Sequence, residues 1–247
     1  MLRGIYTAAS GMLVQSVNTD VISNNLANVD TVGYHRQSAH VRSFPALLLK
    51  RELNNDSARI GTLGTGAVID GSRSSFTPGS IHSTGNALDT ALIGPGFYSV
   101  DTPEGVRYTR DGRFTLNSTG WLVTHDGNRV RGENGPILVR DGDVTIRTDG
   151  TILVNEEIRD RLLMVEFPNR DGLVKQGANL YRATEEAGLA FRYNSIVHQG
   201  SLEMANVNVI REMVNLIEVH RSYEANQKVV QAYDETLGKA VNEIAGR

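Results

Sequence analysis

The strongest constraint on this fold is a seven-residue repeat near the C-terminus. One set of positions is apolar or aromatic at every seventh residue: Val209, Leu216, Tyr223, Val230, Leu237 and Ile244. A second set alternates with it to give coiled-coil spacing: Met213, His220, Gln227, Asp234 and Val241. This spacing predicts a continuous coiled-coil-like helix from about residue 205 to 244, on the order of 55–60 Å long. Such a helix is too long to be an ordinary surface helix of a small domain.

The second set of the repeat contains three polar residues, His220, Gln227 and Asp234. In a simple two-stranded coiled coil these would cost stability. Two interpretations stay open: this face is partly solvated, or several helices meet here in an assembly where the polar groups find partners on other subunits.

A second amphipathic helix is predicted at the N-terminus, over residues 2 to about 27. Its apolar residues fall at helical spacing: Leu2, Ile5, Ala9, Met12, Leu13, Val17 and Val21. Asn24, Asn25, Asn28 and Gly33 are expected to end it. Because neither helix can bury its stripe against nearby sequence, we expect them to pack on each other as one discontinuous module of residues 1–35 and 205–247.

Between the helices the sequence is typical of antiparallel β-structure. Asp-Gly pairs occur at 111–112, 126–127, 141–142, 149–150 and 171–172, and β-prone runs alternate with them at 97–100, 113–116, 121–124, 144–146, 152–154 and 162–167. They predict an all-β domain over residues 81–204. Residues 36–80 are expected to be an extended connector, with a short helix at 46–53 and one strand at 67–69. The predicted fold class is α+β.

Composition excludes several classes of protein. The chain has 247 residues and no Cys, which excludes disulfides, thiolate metal sites and a Cys nucleophile. Its 25 Lys and Arg against 28 Asp and Glu mark no nucleic-acid-binding surface. No apolar stretch approaches the roughly 20 residues of a membrane-spanning helix, so no stable membrane insertion is expected. Polar residues interrupt the N-terminal segment, so no cleaved signal peptide is expected.

No catalytic, cofactor-binding or metal-binding motif stands out. The six His, at positions 35, 40, 82, 125, 198 and 220, are interpreted as scattered surface or turn residues. The glycines of Gly61–Gly66 do not match a dinucleotide-binding fingerprint, and Asp141-Gly142-Asp143 lacks the closing Glu of a calcium loop. The chain is therefore predicted not to be an enzyme and to hold no cofactor or metal.

Three parts of the sequence resemble the axial proteins of the bacterial flagellar rod and hook. Residues 25–34, Asn-Leu-Ala-Asn-Val-Asp-Thr-Val-Gly-Tyr, are similar to the motif that follows the first helix in that family, with Val32 where Pro is common. Residues 88–97 and 108–112 resemble its central β-domain motif, and residues 200–209, 212–213 and 221–228 resemble the start of its long terminal helix.

The resemblance implies a structural subunit of the rod, the drive shaft between motor and hook. Such proteins assemble helically, with their terminal helices lining an inner tube and the β domain outside it. They are exported by the flagellar type III apparatus without a cleaved signal peptide and are found in the basal body. The implied partners are copies of itself, other rod and hook axial proteins, the export apparatus and surrounding ring proteins.

Residues 76–89 and 43–49 look more like the proximal rod type than the distal rod type, and the chain is short for a hook protein. The predicted assembly interface draws on both helices and the turn after the first: Ile5, Ala9, Met12, Leu26, Asn28, Val209, Met213, Leu216, His220, Tyr223, Gln227, Val230, Leu237 and Val241. An alternative outside the family is a peptidoglycan-binding β domain on a helical stalk, with Trp121, Tyr98 and Tyr108 as a sugar platform.

Overall fold

The computed structural model describes residues 2–44, 47–53, 56–64, 66–140 and 142–244. It confirms the α+β class, with a helix at each end of the chain and antiparallel strands between them. Two compact units are present. The helical unit comprises the described parts of Met1–Ala27, Gln37–Arg73 and Asn208–Arg247, and the β unit comprises Asn28–Arg36 and Ser74–Val207.

The helical unit contains both predicted helices, α1 (Leu2–Ala27) and α2 (Val209–Ile244). They pack on each other, as the sequence predicts, although about 180 residues of chain separate them. α1 has no Pro, and it packs a stripe of partly buried residues on α2. Most of the stability of a helix in a protein comes from such packing.

Among its described residues, the helical unit also contains four strands in two pairs: β1 (Gln37–Ser43) with β4 (Ala67–Ser74), and β2 (Leu47–Leu53) antiparallel to β3 (Asp56–Leu63). The predicted short helix at 46–53 is wrong, because residues 47–53 form a strand; residue 46 lies outside the described residues. The prediction of one strand at 67–69 also understates this segment, which contains strands at 56–63 and 67–74. A short apolar run is compatible with either a helix or a strand. Here residues 47–53 form a strand because they pair with β3.

The β unit is built of short strands numbered β5 to β21 in chain order. They are β5 (Ile81–Ser83), β6 (Thr90–Ile93), β7 (Phe97–Thr102), β8 (Gly105–Thr109), β9 (Phe114–Leu116), β10 (Leu122–Thr124), β11 (Arg129–Gly132), β12 (Gly135–Pro136), β13 (Val144–Ile146), β14 (Thr151–Val154), β15 (Glu157–Arg161), β16 (Met164–Glu166), β17 (Leu173–Gly177), β18 (Leu180–Ala183), β19 (Phe191–Arg192), β20 (Ile196–Gln199) and β21 (Ser201–Glu203). Two 3-10 turns, Arg170–Gly172 and Glu185–Ala187, lie between them.

The largest sheet of the β unit follows the order β17-β18-β8-β7-β11-β10-β9. β12 pairs with β11, β16 pairs with β7, and β19 pairs with β16. Smaller sheets are β13-β14-β15, β20-β6 and β21-β5. Every strand pair of the β unit is antiparallel, as the hairpin signals in the sequence indicate.

Two apolar clusters form the core of the β unit. The larger one contains Tyr98, Phe114, Leu122 and Ile152, each 0% exposed, with aliphatic residues from β11, β13 and β16. The smaller one is aromatic: Phe97, Phe167 and Tyr181 pack edge to face or tilted with Phe76 and Tyr108. Burial of these aliphatic and aromatic side chains stabilises the fold of the β unit.

The predicted Asp-Gly turns have different outcomes. Gly127 and Gly150 adopt φ of 83° and 85° in the hairpins β10–β11 and β13–β14, as predicted. The pair at 171–172 instead lies in a 3-10 turn, and Gly112 lies against the backbone of Thr90. Asp141 lies outside the described residues.

Two tight hairpin turns have no glycine at their central positions and were not predicted from the sequence. Asn155 and Glu156 join β14 to β15 with φ of 52° and 70°, and Ala178 and Asn179 join β17 to β18 with φ of 47° and 53°. Two consecutive positive φ angles are typical of the turn that matches strand twist, which usually favours Gly or Asn.

Candidate assembly interface

Small residues occupy the start of the face that α1 turns toward α2. Gly4 and Gly11 lie so close to α2 that a Cβ on them would be 2.5 Å from the Tyr233 hydroxyl oxygen and 3.0 Å from Asn226 Nδ2, respectively. Gly11 lies seven residues after Gly4 in α1, whereas its contact Asn226 lies seven residues before Tyr233 in α2. The two helices are therefore antiparallel, with matching heptad steps.

The same register continues along both helices. Two further steps of seven residues from the Gly11–Asn226 contact place Asn25 opposite Glu212. Both residues are buried, with Asn25 at 0% exposure and Glu212 at 1%. The α1 face reads Gly4, Ala8, Gly11, Gln15, Asn18, Ile22 and Asn25, all buried or half-buried. Apart from Ile22, this face consists of small and amide side chains, which permits close approach of the two backbones.

The face of α2 that packs on α1 differs from the predicted heptad seam in one of its two sets. Val209, Leu216, Val230 and Leu237 are half-buried, in agreement with the first set, while Tyr223 is 36% exposed. The other half of the packed face lies one residue before the predicted second set: Glu212, Val219, Asn226, Tyr233 and Ala240. The glycines of α1 explain the shift, because they leave room for Asn226 and Tyr233.

The predicted second set points away from this intramolecular face. Met213 and Val241 are 48% and 61% exposed, and the polar members His220, Gln227 and Asp234 are exposed as well. His220 Nδ1 lies 3.3 Å from Glu224 Oε1 on the surface, a geometry that contributes little to stability.

Large apolar side chains remain exposed on the outer faces of both helices. On α1, Tyr6 and Leu13 are 72% and 71% exposed. On α2, Ile210, Val214 and Ile217 are 76%, 56% and 54% exposed and share one face with Met213. None of Tyr6, Ile210, Val214 and Ile217 is among the interface residues predicted from the sequence. Their i, i+3, i+4 and i+7 spacing was the available signal.

The remaining predicted interface residues are distributed between packing and turn positions. Ile5, Ala9, Met12 and Leu26 of α1 are half-buried. Asn28 belongs to the β unit, where its carbonyl oxygen accepts from the Thr31 N–H and its Oδ1 accepts from the Thr31 hydroxyl at 3.2 Å. It stabilises the turn after α1. Asn208 has the corresponding role at α2, where its Oδ1 accepts from the Arg211 N–H at 3.0 Å.

A buried ion pair anchors the last strand of the β unit. Arg110 Nη1 donates to Glu203 Oε2 at 3.2 Å, and the two side chains are 3% and 2% exposed. Arg110 Nη2 also donates to the Gly94 carbonyl at 2.7 Å, and Glu203 Oε1 accepts from the Gly79 N–H at 3.0 Å. The pair thereby joins β21 to the segments before β5 and after β6.

The interpretation of all six His as surface or turn residues is wrong for His35. It is 2% exposed and packs on Phe76 and Tyr181 in the β unit. Burial and the charge of Arg110 lower its pKa to about 4, so the ring is neutral at pH 7. Nearby, burial lowers the pKa of Lys175 to about 8, and its Nζ lies 3.7 Å from the centre of the Tyr34 ring.

The residues proposed for a sugar platform do not form one exposed surface. Tyr98 is 0% exposed, and its hydroxyl donates to Thr90 at 2.8 Å. The Arg129 guanidinium lies 5.1 Å from the centre of the Trp121 ring and covers one face of it.

Within the described part of the chain, no three His, Asp or Glu residues are grouped so as to hold a metal ion. Among the helices formed by described residues, none has the length and apolar character to cross a membrane.

Comparison with known proteins gives three family matches in the order of the chain. The family described as flagella basal body rod protein matches residues 5–35, the flagellar hook protein FlgE/F/G D1 domain matches residues 91–154, and the flagellar basal body rod FlgEFG protein C-terminal family matches residues 198–243. They coincide with α1 and its following turn, with the centre of the β unit, and with β20 through α2.

Similar whole proteins extend this result over nearly the entire chain. The flagellar basal-body rod protein FlgG of Bacillus subtilis (strain 168) is 35% identical, with 98% of this chain and 99% of that protein covered. The flagellar basal-body rod protein FlgF of Caulobacter vibrioides is 32% identical, with 99% and 98% covered. The flagellar hook-basal body complex protein FlhO of Bacillus subtilis is 33% identical, with 99% of both chains covered.

The chain belongs to the flagellar basal-body rod protein family. This confirms the resemblance carried by the motifs at residues 25–34, 108–112 and 200–228. Proteins of this family are structural, and the chain is a structural protein and not an enzyme. Rod proteins are located in the flagellar basal body, and their assembly involves other axial proteins of that structure.

Proposed function

We propose that this chain is a rod subunit that assembles helically through α1 and α2 to form part of the drive shaft between motor and hook. The observation that carries the proposal is the apolar surface left on the outer faces of the two helices after they have packed together. Tyr6, Leu13, Ile210 and Ile217 are all more than half exposed. Exposed apolar stripes of this kind mark protein interaction sites.

The proposed interface combines these residues with those predicted from the sequence. Met213, His220, Tyr223, Gln227 and Val241 lie on exposed positions of α2 and are available to neighbouring subunits. The half-buried residues pack within the helix pair and leave part of their surface for contacts with neighbouring subunits: Ile5, Ala9, Met12, Leu26, Val209, Leu216, Val230 and Leu237. Asn28 acts at the turn after α1. The polar residues His220 and Gln227 would then find hydrogen-bond partners across subunits.

The proposal includes a proximal position in the rod, for which the support is the likeness of residues 76–89 and 43–49 to the proximal type; a distal rod position is the alternative. It also includes export through the flagellar type III apparatus without a cleaved signal peptide. Copies of the chain, other rod and hook proteins and the surrounding ring proteins are the proposed contacts. Images of labelled subunits in purified basal bodies distinguish a proximal from a distal position.

The assembly proposal is tested by charging the exposed stripe. Ile217→Asp places a carboxylate where we propose an apolar contact between subunits, at a cost of several kcal/mol in the assembled state. In the free chain the side chain is 54% exposed, so folding is unaffected. We expect the variant to be lost from purified basal bodies while its circular dichroism spectrum is unchanged.

Ile158→Asp is the matched control, because Ile158 is 68% exposed on β15 in the β unit. It is expected to enter basal bodies as the unaltered chain does. Normal incorporation of Ile217→Asp, together with a second stripe variant such as Leu13→Asp, would contradict assembly through these helix faces.

A further inference from the structure

The chain passes between the helical unit and the β unit four times, at 27/28, 36/37, 73/74 and 207/208. Residues beside three of these passages meet at a single side chain of the β unit, Asn206. Asn206 lies between β21 and α2, one residue before Val207, where the last passage begins.

Asn206 uses every hydrogen-bonding group of its side chain on these segments. Its Oδ1 accepts from the Arg36 N–H at 2.6 Å. Its Nδ2 donates to the carbonyl oxygens of Ser75 at 2.7 Å and Thr77 at 2.8 Å, and lies 3.0 Å from the Thr77 hydroxyl. An amide can accept and donate in this way, whereas a carboxylate can only accept.

Backbone hydrogen bonds complete the cluster around this side chain. The Ser75 N–H donates to the Arg36 carbonyl at 2.8 Å, and the Asn206 N–H donates to the Tyr34 carbonyl at 3.4 Å. Residues 36, 75 and 206, each at a passage or one residue from it, are thereby joined to one another within the β unit. Three separate linkers would have no such bonds.

The passage at 36/37 is held on its other side as well. Within the helical unit, Asn25 Nδ2 donates to the Gln37 carbonyl at 2.8 Å, and Asn25 Oδ1 accepts from the Gln37 N–H at 2.9 Å. Two adjacent residues, Arg36 and Gln37, are thus each bound by an asparagine amide, one in each unit. Asn25 and Asn206 both belong to the stretches by which the sequence resembles rod proteins.

We propose that Asn206 is the positioning residue that gathers three chain passages at one point of the β unit, with Asn25 holding the continuation of one of them in the helical unit. In a subunit that transmits torque, force carried by the helices then enters the β unit through three hydrogen-bonded segments at once. This consequence rests on the proposed rod function; the clamp itself is a property of the folded chain.

The clamp is tested by hydrogen exchange on the full chain with Asn206→Ala. We expect the Arg36 and Ser75 amides to exchange about tenfold faster or more. The variant loses at least one hydrogen bond at this point, which lowers the free energy of the local opening that precedes exchange. The Val100 and Val130 amides, in the core strands β7 and β11, should be unchanged. Asn194→Ala is the matched control, since Asn194 is exposed and makes one bond, to Arg161, at 3.4 Å.

Asn206→Asp separates the two halves of the clamp. The aspartate retains an acceptor for the Arg36 N–H but sets an oxygen against the Ser75 and Thr77 carbonyls, so we expect exchange at Ser75 to rise more than at Arg36. Unchanged exchange at both amides in the alanine variant would overturn the proposal. Equal acceleration across the whole β unit, or failure of that unit to fold, would also overturn it, because Asn206 would then be an ordinary stabilising residue.

A cellular measurement connects the clamp to the rod. With Asn206→Ala as the sole copy, we expect the subunit to be present in basal bodies but swimming in viscous medium to be lost. Full swimming would overturn the mechanical role. If the unaltered chain were absent from basal bodies, the proposed function would fail, while the exchange experiment would still decide whether the clamp exists.

Discussion

The Arg110–Glu203 pair gives a prediction whose magnitude follows from the structure. Glu203→Ala removes the carboxylate partner of a guanidinium that is 3% exposed. Arg110 would keep the Gly94 carbonyl at 2.7 Å but no negative charge, and the Gly79 N–H would lose its acceptor. Breaking a buried ion pair by removing one partner typically costs about 3–5 kcal/mol. The stranded Gly79 amide favours the upper end of that range.

A loss of this size is a large fraction of the total stability of a domain, which is about 5–15 kcal/mol. Urea unfolding followed by tryptophan fluorescence measures it directly. The chain has one Trp, at position 121, and that residue lies in the β unit together with the ion pair. The fluorescence transition therefore reports the unfolding free energy of the unit that contains the change.

Glu157→Ala is the control, because its ion pair with Arg159 is exposed, with side chains 76% and 49% accessible. It should change the unfolding free energy by less than about 0.5 kcal/mol. The double change Arg110→Met with Glu203→Leu should cost less than the sum of the two single changes, since no buried charge is left unpaired. A cost below about 1 kcal/mol for Glu203→Ala would refute the reasoning.

Further predictions concern pH, a close backbone contact and a helix surface. In the folded chain the pKa of His35 is about 4, below its ordinary value of 6.5, so the unfolded chain binds more protons between these pH values. The free energy of unfolding should therefore fall by up to roughly 3 kcal/mol as the pH decreases from 6.5 to 4. Urea unfolding at several pH values measures this pH dependence, and His35→Leu should reduce it. Gly112→Ala would place a Cβ 1.8 Å from the Thr90 carbonyl oxygen, so the β unit should lose several kcal/mol or fail to fold in the same assay. Gly238→Ala meets no atom within 4 Å inside α2 and should raise the helix melting temperature by removing a helix penalty of about 1 kcal/mol. A lower melting temperature for Gly238→Ala would contradict the open space at that position, and an unchanged unfolding free energy for Gly112→Ala would contradict the close approach to Thr90.

The ends of the chain were predictable because their signals are local and periodic. The repeat of α2 and the Pro-free stripe of α1 predict helices with nearly the observed bounds, Val209–Ile244 and Leu2–Ala27. Hairpins at Gly127 and Gly150 were predictable for the same reason, since Asp-Gly itself prefers the required backbone angles. In contrast, the turns at Asn155 and Ala178 have weak local signals and are imposed by strand pairing on either side.

The segment at 47–53 shows where local reasoning fails. A short apolar run has no decisive period, and its hydrogen bonds go to β3, which begins at Asp56. His35 shows the same limit for side chains. Nothing beside it in sequence indicates burial, and the residues that cover it, Phe76 and Tyr181, lie about 40 and 150 positions away.

The α+β class, the two terminal helices, the antiparallel centre and the family can all be inferred from the amino-acid sequence, because the signal for each comes from residues close together along the chain. The three-dimensional structure is needed to tell which face of α2 packs on α1, since that depends on Gly4 and Gly11 meeting Tyr233 and Asn226 from the opposite end of the chain. It is also needed to show which residues the asparagine of the C-terminal family motif binds. The bonds of Asn206 join residues about 130 and 170 positions apart, and no local pattern encodes which distant backbone a side-chain amide will meet.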